Sequence, residues 1–117
     1  MLKSSFIKLS KDEQETLLEW CKSIEKRKSI NTERTSYSLK HIFENSKNGF
    51  YINNDTFKEA MLKVGFNYED ADLKGVNWYF NYSEKSLKEI MANDKKLRNR
   101  FSHLFQAKKY WHLFDED

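Results

Sequence analysis

The chain has no proline, one cysteine and three glycines in 117 residues. A single cysteine excludes an internal disulfide. The glycines, at 49, 65 and 75, are too scattered to form a phosphate-cradling loop. His41, His103 and His112 show neither HxxxH nor HxH spacing and no CxxC occurs, so no metal site is expected. Nothing in the pattern calls for another cofactor. No apolar run is long enough to cross a bilayer and no secretion signal opens the chain, which points to a cytoplasmic protein with no membrane contact. Cys21 falls on an apolar helical face, the wrong place for a nucleophile, and the carboxylates sit where solvated helix faces put them. The expectation is a protein that is not an enzyme.

What the chain does have is aromatic surface. Nine phenylalanines, six tyrosines and three tryptophans offset a charged fraction of 33%, so a packed core is expected rather than disorder. The length suits a single domain, residues 1–117. A net charge of +3 is too small to announce nucleic-acid binding by itself.

The helix starts are written clearly. Ser10 with Glu13 makes a capping box, and Leu17, Trp20, Cys21 and Ile24 follow at helical spacing, predicting a first helix that ends by about Arg27. Residues 28–35 read as a polar connector. Thr35 or Ser36 caps a second helix through about Asn45, with Leu39, Ile42 and Phe43 inward. Asn53-Asn54-Asp55 caps a third, which Gly65 stops. Ser83 caps a fourth. Asn93-Asp94 breaks it and caps a fifth, expected to stop near Ala107. Phe50-Tyr51-Ile52 and Trp78-Tyr79-Phe80 read as short strands, with residues 67–76 an acidic loop between helix and strand. The expected fold is α+β, mostly helical, with about five helices and a short two-stranded β ribbon.

Two surfaces stand out as candidates for binding. On the fifth helix Lys95, Arg98 and Lys109 share one side, flanked by Lys96 and His103 and accompanied by Arg100, a pattern that can track a phosphate backbone. The same stripe is also what a solvated amphipathic helix looks like in a lysine-rich chain. On the ribbon, Phe50 and Ile52 should face the core while Tyr51 turns out; Tyr79 opposes Trp78 and Phe80 in the same way. Tyr51 and Tyr79 then either form an exposed patch for a partner or for base stacking, or pack under a neighbouring loop as such tyrosines more often do. Tyr37, Lys40 and His41 join them as residues that folding alone does not require.

The pattern Ser36-Tyr37-x-Leu39-Lys40-His41, then Gly49-Phe50-Tyr51-Ile52-x-Asn54-x-x-Phe57-x-x-Ala60, Gly65-Phe66 and Asn77-x-x-Phe80-Asn81-x-Ser83 resembles a group of small accessory proteins. They are carried by plasmids, phages and integrative elements, notably in Gram-positive bacteria. The resemblance covers about residues 35–90; Asp55 departs from it, standing where a glycine commonly follows the asparagine. It implies a small protein that interferes with host defence in the manner of an anti-CRISPR protein. The implied partner is a bacterial defence nuclease, or its guide RNA or target DNA. The charge argues against whole-molecule nucleic-acid mimicry, but an acidic patch at Glu69, Asp70 and Asp72, with Asp115-Glu116-Asp117, suits an arginine-rich groove. The alternative is a DNA-binding accessory or regulatory protein of a plasmid or phage, with a winged-helix-like element placing a helix in the major groove.

Overall fold

The computed structural model describes residues 5–102. A single 3-10 turn, Phe6–Lys8, precedes α1 (Lys11–Ser23), β1 (Lys26–Asn31), α2 (Ser36–Glu44), α3 (Asn54–Lys63), β2 (Tyr68–Asp70), β3 (Trp78–Tyr82), α4 (Glu84–Asn93) and α5 (Lys95–Arg100). The class is α+β, with five α-helices and one three-stranded antiparallel sheet of order β1-β3-β2 among the described residues. None of the described helices is long and apolar enough to cross a membrane.

Each helix starts on the polar residue that the chain offers there. Ser10 Oγ accepts from Glu13 N at 3.1 Å while Glu13 Oε1 accepts from Ser10 N at 3.0 Å, a complete capping box. Thr35, Asn53, Ser83 and Asp94 cap α2 to α5 by accepting from backbone N–H groups of the first turn. At the other end of α3, Gly65 takes φ +97°. Its N–H bonds Leu62 O, and Phe66 N bonds Met61 O, the paired closure of a left-handed helix stop. Phe66 then folds its ring against Phe80, 6.3 Å between centroids.

The core lies between the helices and the inner face of the sheet. Leu17 and Cys21 of α1, Leu39 and Phe43 of α2, Phe57 of α3 and Phe80 of β3 are all fully buried. Trp20 meets Phe43 edge-on at 5.5 Å, and Phe43 meets Phe50 at 5.2 Å. Each fully buried phenylalanine contributes about 1.5–3 kcal/mol relative to exposure.

The sheet departs from the expected ribbon in three ways. The first helix ends at Ser23 rather than near Arg27, and Lys26–Asn31, expected as the helix end and the start of the connector 28–35, is an edge strand. The change comes at Ile24, which turns to an extended conformation to bury its side chain and leaves its N–H on Cys21 O. From Lys26 to Asn31 the chain advances five positions while its partners on β3 retreat two, from Tyr82 to Phe80, so three residues bulge out of β1. Second, Tyr68–Asp70, expected as loop, pairs with β3. Third, Phe50-Tyr51-Ile52 is not a strand: Ile52 N–H goes to the Glu44 carboxylate at 3.0 Å, and no neighbouring strand lies beside it. The expected inside–outside alternation survives in this segment, with Ile52 buried and Tyr51 exposed.

The fifth helix is also shorter than expected. Phe101 takes a non-helical conformation and closes α5 after Arg100 instead of near Ala107. His103 and Lys109, two of the proposed contacts, lie outside the described residues, as do Asp115-Glu116-Asp117.

Candidate interaction surface

Four of the residues that folding left unexplained come together on α2 and the segment that follows it. Helical spacing turns Leu39, Ile42 and Phe43 into the core and leaves Tyr37, Lys40, His41 and Glu44 on another side. Lys40 Nζ lies 3.0 Å from Glu44 Oε2, 5.0 Å from the Tyr37 ring centre and 5.4 Å from that of Tyr51. His41 stands perpendicular to Tyr37 at 4.4 Å and places Nδ1 3.4 Å from Glu44 Oε1. Because Glu44 Oε2 also accepts from Ile52 N, this carboxylate ties the Tyr51 segment to the helix. The result is a buried ammonium under two tyrosines that remain 51% (Tyr37) and 79% (Tyr51) exposed.

The loop between β2 and β3 is fastened to the same corner. Asp72 folds it by accepting from Lys74 N and Val76 N at 3.1 Å, with Gly75 at φ +67°. Asn54 Nδ2 and Lys58 Nζ each donate to Val76 O at 2.9 Å, and Ser36 Oγ accepts from Trp78 N at 3.1 Å. These bonds hold the loop against the first turns of both α2 and α3. Lys58 Nζ sits 4.4 Å over the Trp78 ring, and Tyr68 stacks on that tryptophan at 3.8 Å.

Seven large hydrophobic side chains are exposed among the described residues, and five of them (Tyr37, Tyr51, Tyr68, Leu73 and Val76) belong to this corner. Such concentration marks an interaction surface more strongly than scattered exposure does. Around it Asp55, Asp70 and Asp72 are exposed, with Glu69 on the other face of β2 and Lys74 the exposed cation of the loop.

The other predicted residues lie elsewhere. Tyr79 is half-buried on the opposite face of β3 from Trp78, across from Glu69, so the expected Tyr51–Tyr79 patch does not form. Lys95, Lys96, Arg98 and Arg100 are exposed on α5. That helix meets the body beyond the C-terminal end of α2, where Asp94 Oδ2 accepts from Lys47 N at 2.8 Å. Arg98 Nη1 donates to Ala92 O at 3.1 Å, which secures the end of α4. Sequence reasoning missed Glu44, Tyr68, Leu73 and Val76 as parts of the site. The apolar Leu73 and Val76 inside a polar turn were the available signal.

Elsewhere, a cleft of about 430 Å³ is lined by residues including Glu19, Trp20, Ser46 and Asn48, and Trp20 Nε1 is buried without a partner beside it. Burial pushes the Cys21 thiol well above its ordinary range, which keeps it protonated and inert. Among the described residues no group of three or more His, Cys, Asp and Glu side chains could hold a metal ion. No family model matches the chain, and no curated protein or solved structure matches it either.

Proposed function

We propose that the protein is a small, non-enzymatic product of a plasmid, phage or integrative element that inhibits a bacterial defence nuclease in the cytoplasm. It would act as anti-CRISPR proteins do, by covering a surface that the nuclease needs. The observation that carries this reading is the gathering of five exposed aromatic and aliphatic side chains on one braced corner, ringed by carboxylates. Large exposed aromatics held rigid by a buried ion pair resemble the anchors that dominate protein interfaces. The acidic rim suits a cationic protein surface and opposes a phosphate backbone. The test is to mix the purified protein with purified effector nucleases of several types and follow cleavage and complex formation. Inhibition that is lost in a Tyr37→Ala/Tyr51→Ala double variant supports the reading; no complex with any effector type sinks it.

A second reading, a DNA-binding accessory protein, is favoured by the order of elements. Helix, strand, two helices and a hairpin, with β1 closing on β3, is the arrangement of a winged-helix protein, in which α3 would enter the groove and the β2–β3 loop would be the wing. The charges oppose it. Asp55 stands on the first turn of α3, Glu69, Asp70 and Asp72 line the wing, and Lys58 is spent on Val76 O and Trp78. The α5 cations remain the route to guide RNA or target DNA. Retention on duplex DNA that falls steeply with salt would favour this second reading.

A further inference from the structure

The two edges of the sheet are built differently. On β1 the three-residue bulge breaks the edge, and Arg27 folds back on its own strand, donating from Nε to Ser29 O and from Nη2 to Ile30 O, both at 3.1 Å. Those carbonyls are occupied and the strand is irregular, two of the ordinary ways of closing an edge. On β2 neither a bulge nor a folded-back side chain occurs among the described residues; only its three-residue length and its two carboxylates guard the edge. Asn67 O accepts from Asn81 N and Ala71 N donates to Asn77 O. In an antiparallel ladder bonding residues alternate, so between these two it is Glu69 that faces β3. Tyr68 and Asp70 therefore turn their N–H and C=O groups to the open side, and all three residues of β2 are exposed.

We infer that the β2 edge accepts an extended, lysine- or arginine-bearing segment of a partner protein as a fourth strand. The backbone groups of Tyr68 and Asp70 supply the donors and acceptors that an extended chain matches, the basis of recognition by strand addition. The side chains select what is added. Asp70 and Tyr68 lie on one face and Glu69 on the other, so a basic side chain meets a carboxylate on either side. The Tyr68 ring, stacked on Trp78, offers a flat surface for a guanidinium. A second copy of this chain is a poor occupant, because pairing two β2 edges sets Glu69 and Asp70 of one against those of the other. The inference names the partner chemistry for the binding reading above and rests on it.

The experiment uses the full chain, isotope-labelled for amide exchange, and a synthetic peptide alternating arginine and valine as probe. Binding should slow exchange of the Tyr68 and Asp70 amides by about tenfold or more and leave Glu69 little changed. A peptide of the same charge N-methylated at every residue should bind at least about tenfold more weakly, as should one alternating glutamate and valine. Asp70→Pro removes an outward N–H together with one of the two selecting carboxylates, without touching the ladder to β3, and should weaken binding similarly. Equal binding of the N-methylated peptide, or unchanged Tyr68 and Asp70 exchange, overturns strand addition whatever the variant does to folding. The two readings separate in a nuclease assay. Undiminished inhibition by a folded Asp70→Pro variant overturns the edge inference and keeps the inhibitor reading. Peptide addition at β2 with no effector inhibited does the reverse.

Discussion

Lys40 Nζ and Glu44 Oε2 lie 3.0 Å apart with only 5% and 12% of their side chains exposed, one helical turn apart on α2. The pair is close to a core arrangement although its roof is two exposed tyrosines. Glu44 serves three groups, accepting from Lys40 and Ile52 N and lying 3.4 Å from His41. Removing it strands a buried ammonium and a backbone N–H. Glu44→Ala is expected to cost about 3–5 kcal/mol. A Lys40→Met/Glu44→Leu double variant should cost less than the two single changes summed, because no unpaired charge stays behind. Urea unfolding of the wild type, Glu44→Ala, Lys40→Met, Glu44→Leu and the double variant measures both quantities.

Glu84 organises a second polar group just beyond the end of β3. Arg34 grips its carboxylate through Nε and Nη2 at 2.9–3.1 Å, and Tyr82 donates its hydroxyl to Oε1 at 2.8 Å. Burial first, and then the charge and hydrogen bond of Glu84, raise the Tyr82 hydroxyl well above its ordinary range. A folded state that holds a proton which the unfolded chain releases near pH 10 loses stability as pH rises past that point. The contribution is complete below about pH 10 and declines above it. Wild-type stability should therefore fall in alkali more steeply than that of Tyr82→Phe, which should be weaker by about 1.5–3 kcal/mol at neutral pH. Ultraviolet titration should show a tyrosine transition that coincides with unfolding and is missing from Tyr82→Phe.

Cys21 is the single cysteine, fully buried on α1 beneath the core, with its thiol pushed upward by burial. Modification by a thiol reagent at neutral pH should therefore wait for opening of the structure. The labelling rate should rise with urea in step with global unfolding. Fast labelling in native buffer, independent of urea, would show that α1 opens locally.

Two glycines separate two kinds of constraint. At Gly49 an added Cβ would run into Phe43 O and come within 2.9 Å of both Glu44 O and Ser46 Oγ, so the obstacle is space. At Gly65 the nearest atom is the flexible end of Lys26, and the obstacle is the positive φ. Gly65→Ala should cost about 1–2 kcal/mol through backbone strain. Gly49→Ala should cost more, at or above the 1–3 kcal/mol typical of overpacking, since backbone carbonyls cannot yield. Thermal melts of the two variants rank them.

The helices were legible because their signals are local: Ser10, Thr35, Asn53, Ser83 and Asp94 each act within one turn of themselves. The strands were legible only where hydrophobic, at Trp78-Tyr79-Phe80. β1 reads Lys-Arg-Lys-Ser-Ile-Asn and shows no alternation. It is held by contacts more than fifty residues away, Asn31 Nδ2 to Tyr82 O and Asn81 Nδ2 to Arg27 O. β2 is three residues long and equally polar. Phe50–Ile52 has strand chemistry, but Glu44 takes the N–H that a ladder would need. The same long-range logic governs the site. Tyr37, Lys40, His41 and Tyr51 were visible as residues that folding did not need, whereas the approach of the β2–β3 loop depends on Asn54 and Lys58 reaching Val76.

Tyr51 separates binding from stability most cleanly. It is 79% exposed, and its ring lies over the Lys40 ammonium at 5.4 Å. Tyr51→Ala should therefore change stability by less than about 0.5–1 kcal/mol. If the corner is the inhibitory surface, the same change should weaken the complex by at least about tenfold, the effect of losing an aromatic anchor. Charge reversal on α5, Lys95→Glu with Arg98→Glu, addresses the competing surface. Both side chains are exposed, and Arg98 holds Ala92 O at the end of α4 only. These changes should leave both the fold and a protein–protein complex intact, while abolishing salt-sensitive retention on nucleic acid. Binding lost in the α5 variant and kept in Tyr51→Ala would move the functional surface from the aromatic corner to α5.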